Sequence, residues 1–212
     1  MSALKQKQAV RTNTTKDSVC KIDVPPVKFQ KLWDNYQSGA PYVDANGKVP
    51  PGYENQCAIR LSATLHKAGV EMKSFSKANV AVKPGTVFGR IMLNGKYVAV
   101  RADQMGSWLS KQPFCGLPQQ PDNVTGGNWE EKVRRRTGII MFDSYWSRDG
   151  QAGADGGHID LWNGSRLTIN SAQGLIAVIG RRIGIRSARL PGTNIGYSDL
   201  SKAKSILFWE IK

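Results

Sequence analysis

The sequence predicts an α+β domain in which helices come first and strands later. Three observations carry that reading. ENQCAIRLSATLHKAG (54–69) repeats its apolar residues with a period near 3.6. Asn94-Gly95 separates two apolar runs, the strongest short-range signal for a hairpin. GHIDLW (157–162) and SILFWEI (205–211) are short runs rich in β-branched and aromatic residues near the end of the chain. Helices followed by strands imply an antiparallel sheet rather than alternating βα units.

Each element can be justified in turn. Residues 1–25 are polar and dotted with lysine, and read as a loosely held arm; residues 26–212 read as one domain. VKFQKLWDNYQ places Phe29, Leu32, Trp33 and Tyr36 at helical spacing. GAPYVDANGKVPPGY (39–53) is a loop by its Gly, Pro, Asn and Asp content. In the next helix Asn55 is the expected N-cap and Gly69 the expected left-handed C-terminal residue. After the Asn94-Gly95 hairpin, Asp103 is expected to cap a helix through Trp108 and Leu109. Asn128 with Glu131 resembles a capping box that opens NWEEKVRRRTG. Ile139–Phe142, GHIDLW, RLTIN (166–170), LIAVIG (175–180) and SILFWEI are the expected strands.

Composition bounds the function classes. A chain of 212 residues can bury a sizeable core as one domain. No stretch approaches the roughly 20 apolar residues needed to span a bilayer, so no membrane insertion is expected. The start shows no apolar h-region and no small-residue cleavage site, so no secretory signal is expected. The net charge of +14 favours anionic partners, among which charge alone does not choose. Three cysteines (Cys20, Cys57, Cys115) and two histidines (His66, His158), without zinc-ligand spacing, argue against a structural metal. Pairing Cys20 with Cys115 would leave Cys57 free, although connectivity cannot be read from sequence.

Cys57 is where chemistry is expected. It opens a predicted helix, where unpaired N–H groups and the helix dipole favour a thiolate. His158, on a predicted strand about a hundred residues on, is the candidate base. His66 lies nine residues past Cys57 on the same helix, too far to touch the sulfur. A third residue would orient the imidazole. With a three-residue loop at Asn163-Gly164-Ser165, Trp162 pairs with Arg166 and Asn170 falls opposite His158. A two-residue loop turns Asn170 to the other face. Asp160 competes, being two residues along the same strand face and roughly 6–7 Å away along the backbone. Arg60 and Arg101 are candidate anchors for carboxylates, and Trp162 and Trp108 for a glycan groove.

NQCAIRLS around Cys57, GGHIDLW around His158, the WL-containing helix after the hairpin and the terminal FWEIK together resemble the fourth family of type VI secretion amidase effectors. These belong to the NlpC-type, papain-like cysteine peptidases, and the likeness covers most of residues 26–212. The resemblance implies a papain-like α+β fold with the nucleophile helix packed on an antiparallel sheet. It implies injection into a rival bacterium's periplasm by the type VI secretion apparatus. There the substrate is the γ-D-glutamyl–meso-diaminopimelate bond of peptidoglycan stem peptides, hydrolysed with no cofactor. It also implies a cognate immunity protein. The family's nucleophile falls on Cys57, its histidine on His158, and its third position at or near Asn170. Family members carry Asp there, and this sequence has none within 161–170.

Two rivals remain at the level of sequence. One is a non-enzymatic basic module that binds nucleic acid or another anionic polymer, supported by the charge and by KVRRR (132–136). Its basic residues are dispersed, however, and no RNP pattern or zinc finger accompanies them. The other is an acyltransferase, which the same Cys-His pair would serve.

Overall fold

The computed structural model describes residues 10–11, 25–146, 156–168, 188–189, 196–197 and 200–212. In chain order the elements are β1 (Val10–Arg11), α1 (Phe29–Asp34), α2 (Cys57–Lys67), β2 (Val70–Glu71), β3 (Arg90–Leu93), β4 (Lys96–Ala99), α3 (Ala102–Leu109), β5 (Asp122–Asn123), α4 (Trp129–Val133), β6 (Gly138–Trp146), β7 (Gly156–Trp162), β8 (Ala188–Arg189), β9 (Gly196–Tyr197) and β10 (Ser205–Glu210). The central sheet has the order β5-β10-β6-β7, every pairing antiparallel. Among the described residues β7 therefore forms one edge of that sheet. With α2 and α3 packed against that strand, this is the α+β arrangement of helices on an antiparallel sheet expected from the sequence.

Side-chain alternation along the strands divides the apolar residues between two clusters. Ile139 and Met141 of β6, Ile159 and Leu161 of β7 and Trp209 of β10 pack with Leu61 and Leu65 of α2 and Met105 and Trp108 of α3. Ile140, Phe142, Trp162 and Phe208 join Trp129 and Val133 of α4. His158 and Asp160 alternate with Ile159 and Leu161 on β7. They therefore leave that strand on one common side.

Several local expectations are met and several are corrected. Asn94 and Gly95 both adopt positive φ (50° and 73°), which matches the twist of the β3–β4 hairpin. Gly69 follows α2 at φ 91°, as a left-handed terminator should. Asn55 does not cap α2. The cap position is Gln56, whose side chain makes no cap bond because it is engaged with the backbone of Tyr42. Asp103 lies inside the first turn of α3 and Arg101 holds the cap position. Asn128 caps α4 in position, without the side-chain bond of a capping box. Val10–Arg11 pairs in parallel with Val70–Glu71. LIAVIG (175–180) lies outside the described residues. No helix among the described residues is long and apolar enough to cross a membrane.

Candidate active site

Cys57 is the first residue of α2, a free thiol only 7% exposed. Cys115 is in a disulfide, and Cys20 lies outside the described residues. The start of α2 carries no side-chain cap and no acidic residue in its first turn. Its leading N–H groups therefore keep their positive partial charge. His158 of β7 reaches the thiol by a hydrogen bond, and the backbone N–H of Ile159 also donates to the sulfur. Burial alone would raise the Cys57 pKa. The His158 hydrogen bond and charge, the Ile159 N–H and the Arg60 charge outweigh it, and the thiol ends below its ordinary value.

The imidazole moves the other way. Burial would lower the His158 pKa, but hydrogen bonds to Asp160 and Cys57 and the charges on both push it up to about 9. Its side chain is 19% exposed, which leaves it reachable from solvent. Opposite shifts on two bonded groups favour the thiolate–imidazolium form of the pair over the neutral one. Asp160 is 1% exposed, with Oδ2 3.4 Å from His158 Nε2. Its Oδ1 accepts from the Leu161 N–H at 2.8 Å and from the Thr168 hydroxyl.

The loop after β7 differs from both geometries weighed above. Trp162 bridges to Leu167 rather than Arg166, so four residues lie between the paired positions. Asn163 Oδ1 accepts from the N–H groups of Ser165 and Arg166, an Asx-type turn that uses the extra residue. The three-residue register that set Asn170 against His158 is therefore not formed. Asn170 itself lies outside the described residues. The carboxylate that does meet the imidazole is Asp160.

A cleft of about 520 Å³ opens beside Cys57, lined among others by Tyr53, Asn55, Thr86, Arg101, Asp103 and Gly157. Gly157 is tight, since a Cβ there would come 3.2 Å from the Phe142 carbonyl oxygen and 3.3 Å from Ala102 Cβ. Of the two candidate anchors, Arg101 lines the cleft, with a loose 3.6 Å ion pair to Asp103. Arg60 does not line it. Its guanidinium is bonded to the Gly39 carbonyl, at 2.8 Å, and to the Tyr36 hydroxyl. Trp162 is no groove residue either. It is 4% exposed and donates from Nε1 to the Val133 carbonyl, which is a core role. Trp108 is wholly buried. His66 ties the end of α2 to the carbonyls of Val70 and Tyr97, away from the cleft.

Tyr36 and Thr168 were not singled out for the site from sequence. Tyr36 bonds to Thr168 and Arg60, and burial, with the nearby Asp160 charge, raises its pKa beyond the usual phenol range. Tyr36 shows only helical apolar spacing in the sequence, and nothing there points to a polar role. Among the described residues no cluster of His, Cys, Asp or Glu is arranged to hold a metal.

Residues 53–209 match the protein-family model described as type VI secretion system amidase effector protein 4, Tae4. The chain belongs to this family. Tae4 proteins are amidase effectors, so the Cys57 cleft lies in an enzyme. Structures with related shape include the effector Tae4 from Enterobacter cloacae, at 18% identity and a TM-score of 0.48, covering 89% of this chain and 98% of that one. The Tae4/Tai4 effector–immunity system from Salmonella typhimurium follows at 16% identity and 0.46, covering 90% and 100%. A complex of Salmonella typhimurium Tae4 with Enterobacter cloacae Tai4 stands at 17% and 0.44, covering 86% and 94%. No curated protein sequence matches.

Proposed function

We propose that this Tae4-family chain hydrolyses the γ-D-glutamyl–meso-diaminopimelate bond of peptidoglycan stem peptides, with Cys57 as nucleophile, His158 as base and Asp160 orienting the imidazole. The observation that carries the reading is the buried thiol at the start of α2, hydrogen-bonded to a histidine whose Nε2 faces a carboxylate. With Nε2 turned to Asp160, Nδ1 is the nitrogen left for the thiol proton.

The reaction is acyl transfer. The thiolate attacks the γ-glutamyl carbonyl, and the resulting oxyanion meets the uncapped N–H groups of the α2 start. His158 gives its proton to the diaminopimelate nitrogen as the C–N bond breaks, leaving a thioester on Cys57. The neutral imidazole then takes a proton from water, whose oxygen attacks the thioester. The glutamate carboxylate departs and the pair is restored. Arg101, at the cleft wall, faces the space a stem-peptide carboxylate would occupy. The expected setting is a rival cell's periplasm after type VI delivery, with a cognate immunity protein guarding the producer.

The polymer-binding alternative gains no support from KVRRR. Arg136 is tied to Asp122 and Glu210 and lies over the Phe208 ring. The Arg135 backbone is bonded to Gly164.

Purified sacculi treated with the protein should release fragments that end in D-glutamate and in a free diaminopimelate amine, read by mass spectrometry. The Cys57→Ala protein should release neither. Equal release by both proteins would remove Cys57 from the mechanism.

A further inference from the structure

Six polar side chains at this site form a circuit. Cys57 is bonded to His158, and His158 faces Asp160. Asp160 accepts from Thr168, and Thr168 is bonded to Tyr36. Tyr36 is bonded to Arg60, three residues after Cys57 on α2. The chain of contacts thus begins and ends on one turn of one helix. It passes through the end of the α1 segment and the loop beyond β7.

We infer that Arg60 is a positioning residue of the site: pinned by the Gly39 carbonyl and the Tyr36 hydroxyl, it closes the circuit behind the cleft and holds the thiol and imidazole aligned. The inference rests on the amidase reading above and adds residues to it. Three observations support it. Arg60 donates to the Gly39 carbonyl and does not line the cleft, so it is placed to act through other groups. Its Nε is buried with no hydrogen-bond partner among the described residues. A cation left partly unsatisfied keeps a strong field at its neighbours. The charges of Arg60 and Asp160 both act on the Tyr36 hydroxyl, in opposite directions, from the two sides of the circuit.

Among the described residues the charges around Cys57 are few. His158 and then Asp160 face it from β7, Arg60 lies on its own helix, and Arg101 with Asp103 stand across the cleft at the start of α3. Removal of Arg60 takes away a cation that favours the thiolate, so the thiol must become harder to ionise. Tyr36→Phe frees the guanidinium without removing its charge. Thr168→Val cuts the circuit on its carboxylate side.

The test is the pH dependence of Cys57 alkylation by iodoacetamide, followed by mass spectrometry on the Cys57 peptide, beside kcat and KM on a stem peptide. Arg60→Gln should move the alkylation midpoint up by about one pH unit. At a pH below the midpoint the alkylation rate should then fall about tenfold. Its kcat should fall with KM little changed. Arg60→Lys should restore much of the midpoint, and Tyr36→Phe should give a smaller rise in the same direction. An unmoved midpoint in folded Arg60→Gln and Tyr36→Phe proteins overturns the inference. So does a rise in KM at constant kcat, which would make Arg60 a substrate anchor. If wild type leaves sacculi intact while the midpoint still moves, the amidase reading falls and the circuit stands.

Discussion

Asp160 reaches His158 from two residues along the same strand, Oδ2 to Nε2 at 3.4 Å, while its other oxygen is held by the Leu161 N–H and the Thr168 hydroxyl. A residue at i+2 normally lies too far along an extended strand to make short contact, and this contact is correspondingly long. Asp160 still favours the imidazolium, first through that hydrogen bond and in smaller part through the charge of a carboxylate only 1% exposed.

Asp160→Asn keeps the shape and removes the charge. We expect kcat on a stem peptide to fall on the order of 10²-fold, the scale of positioned acid–base catalysis. The His158 titration midpoint, followed by NMR, should drop below its value of about 9. An unchanged midpoint would assign the orienting role to another residue.

The opposite shifts at Cys57 and His158 set the pH profile. As pH falls through the lowered thiol value, the nucleophile takes up a proton and activity is lost. As pH rises through about 9, the imidazolium loses the proton that the leaving amine needs. A plot of kcat/KM against pH should be a bell with its alkaline limb near 9, both limbs being properties of the pair. Alkylation of Cys57 needs no leaving-group proton and should stay fast on the alkaline side.

The two groups proposed to react were legible because each carries a local signal. Cys57 opens an amphipathic segment, and His158 lies within an apolar strand bordered by glycines. The third group was left between Asn170 and Asp160, because the choice depends on loop register. Neither a two- nor a three-residue loop is formed. The Asn163 turn places Leu167 opposite Trp162, and a one-residue slip changes every partner along the strand. The caps were legible only in part. Asn128 holds the expected cap position without a cap bond, whereas Gln56, tied to the Tyr42 backbone, and Arg101 stand where Asn55 and Asp103 were expected. Arg60 and Trp162 show the same limit, as no periodicity says whether a long side chain faces a cleft or a core.

Trp162 supplies a test of that distinction. It is packed edge-on against Trp129, with centroids 5.3 Å apart, in the core that also holds Phe142. Trp162→Ala should cost about 3–5 kcal/mol of stability, seen in denaturant unfolding. Trp162→Phe should cost less, chiefly through loss of the bond to the Val133 carbonyl. KM for Trp162→Phe should match wild type. A raised KM with unchanged stability would return this indole to the glycan-groove role.

Gln56 precedes the nucleophile and holds the loop that walls the cleft. Its Oε1 accepts from the Tyr42 N–H at 2.9 Å and its Nε2 donates to the Tyr42 carbonyl at 2.7 Å, with the side chain 1% exposed. The Tyr42 ring in turn lies 4.8 Å from that of Tyr53, a cleft residue. Gln56→Leu keeps the bulk and leaves one buried donor and one acceptor unpaired. A loss of about 1–3 kcal/mol is expected. The loop, freed from α2, should bind substrate less well, raising KM. The pH midpoint of Cys57 alkylation should not move, because none of the groups that set it is touched. A shifted midpoint would mean that Gln56 fixes the thiol itself as well as the wall beside it.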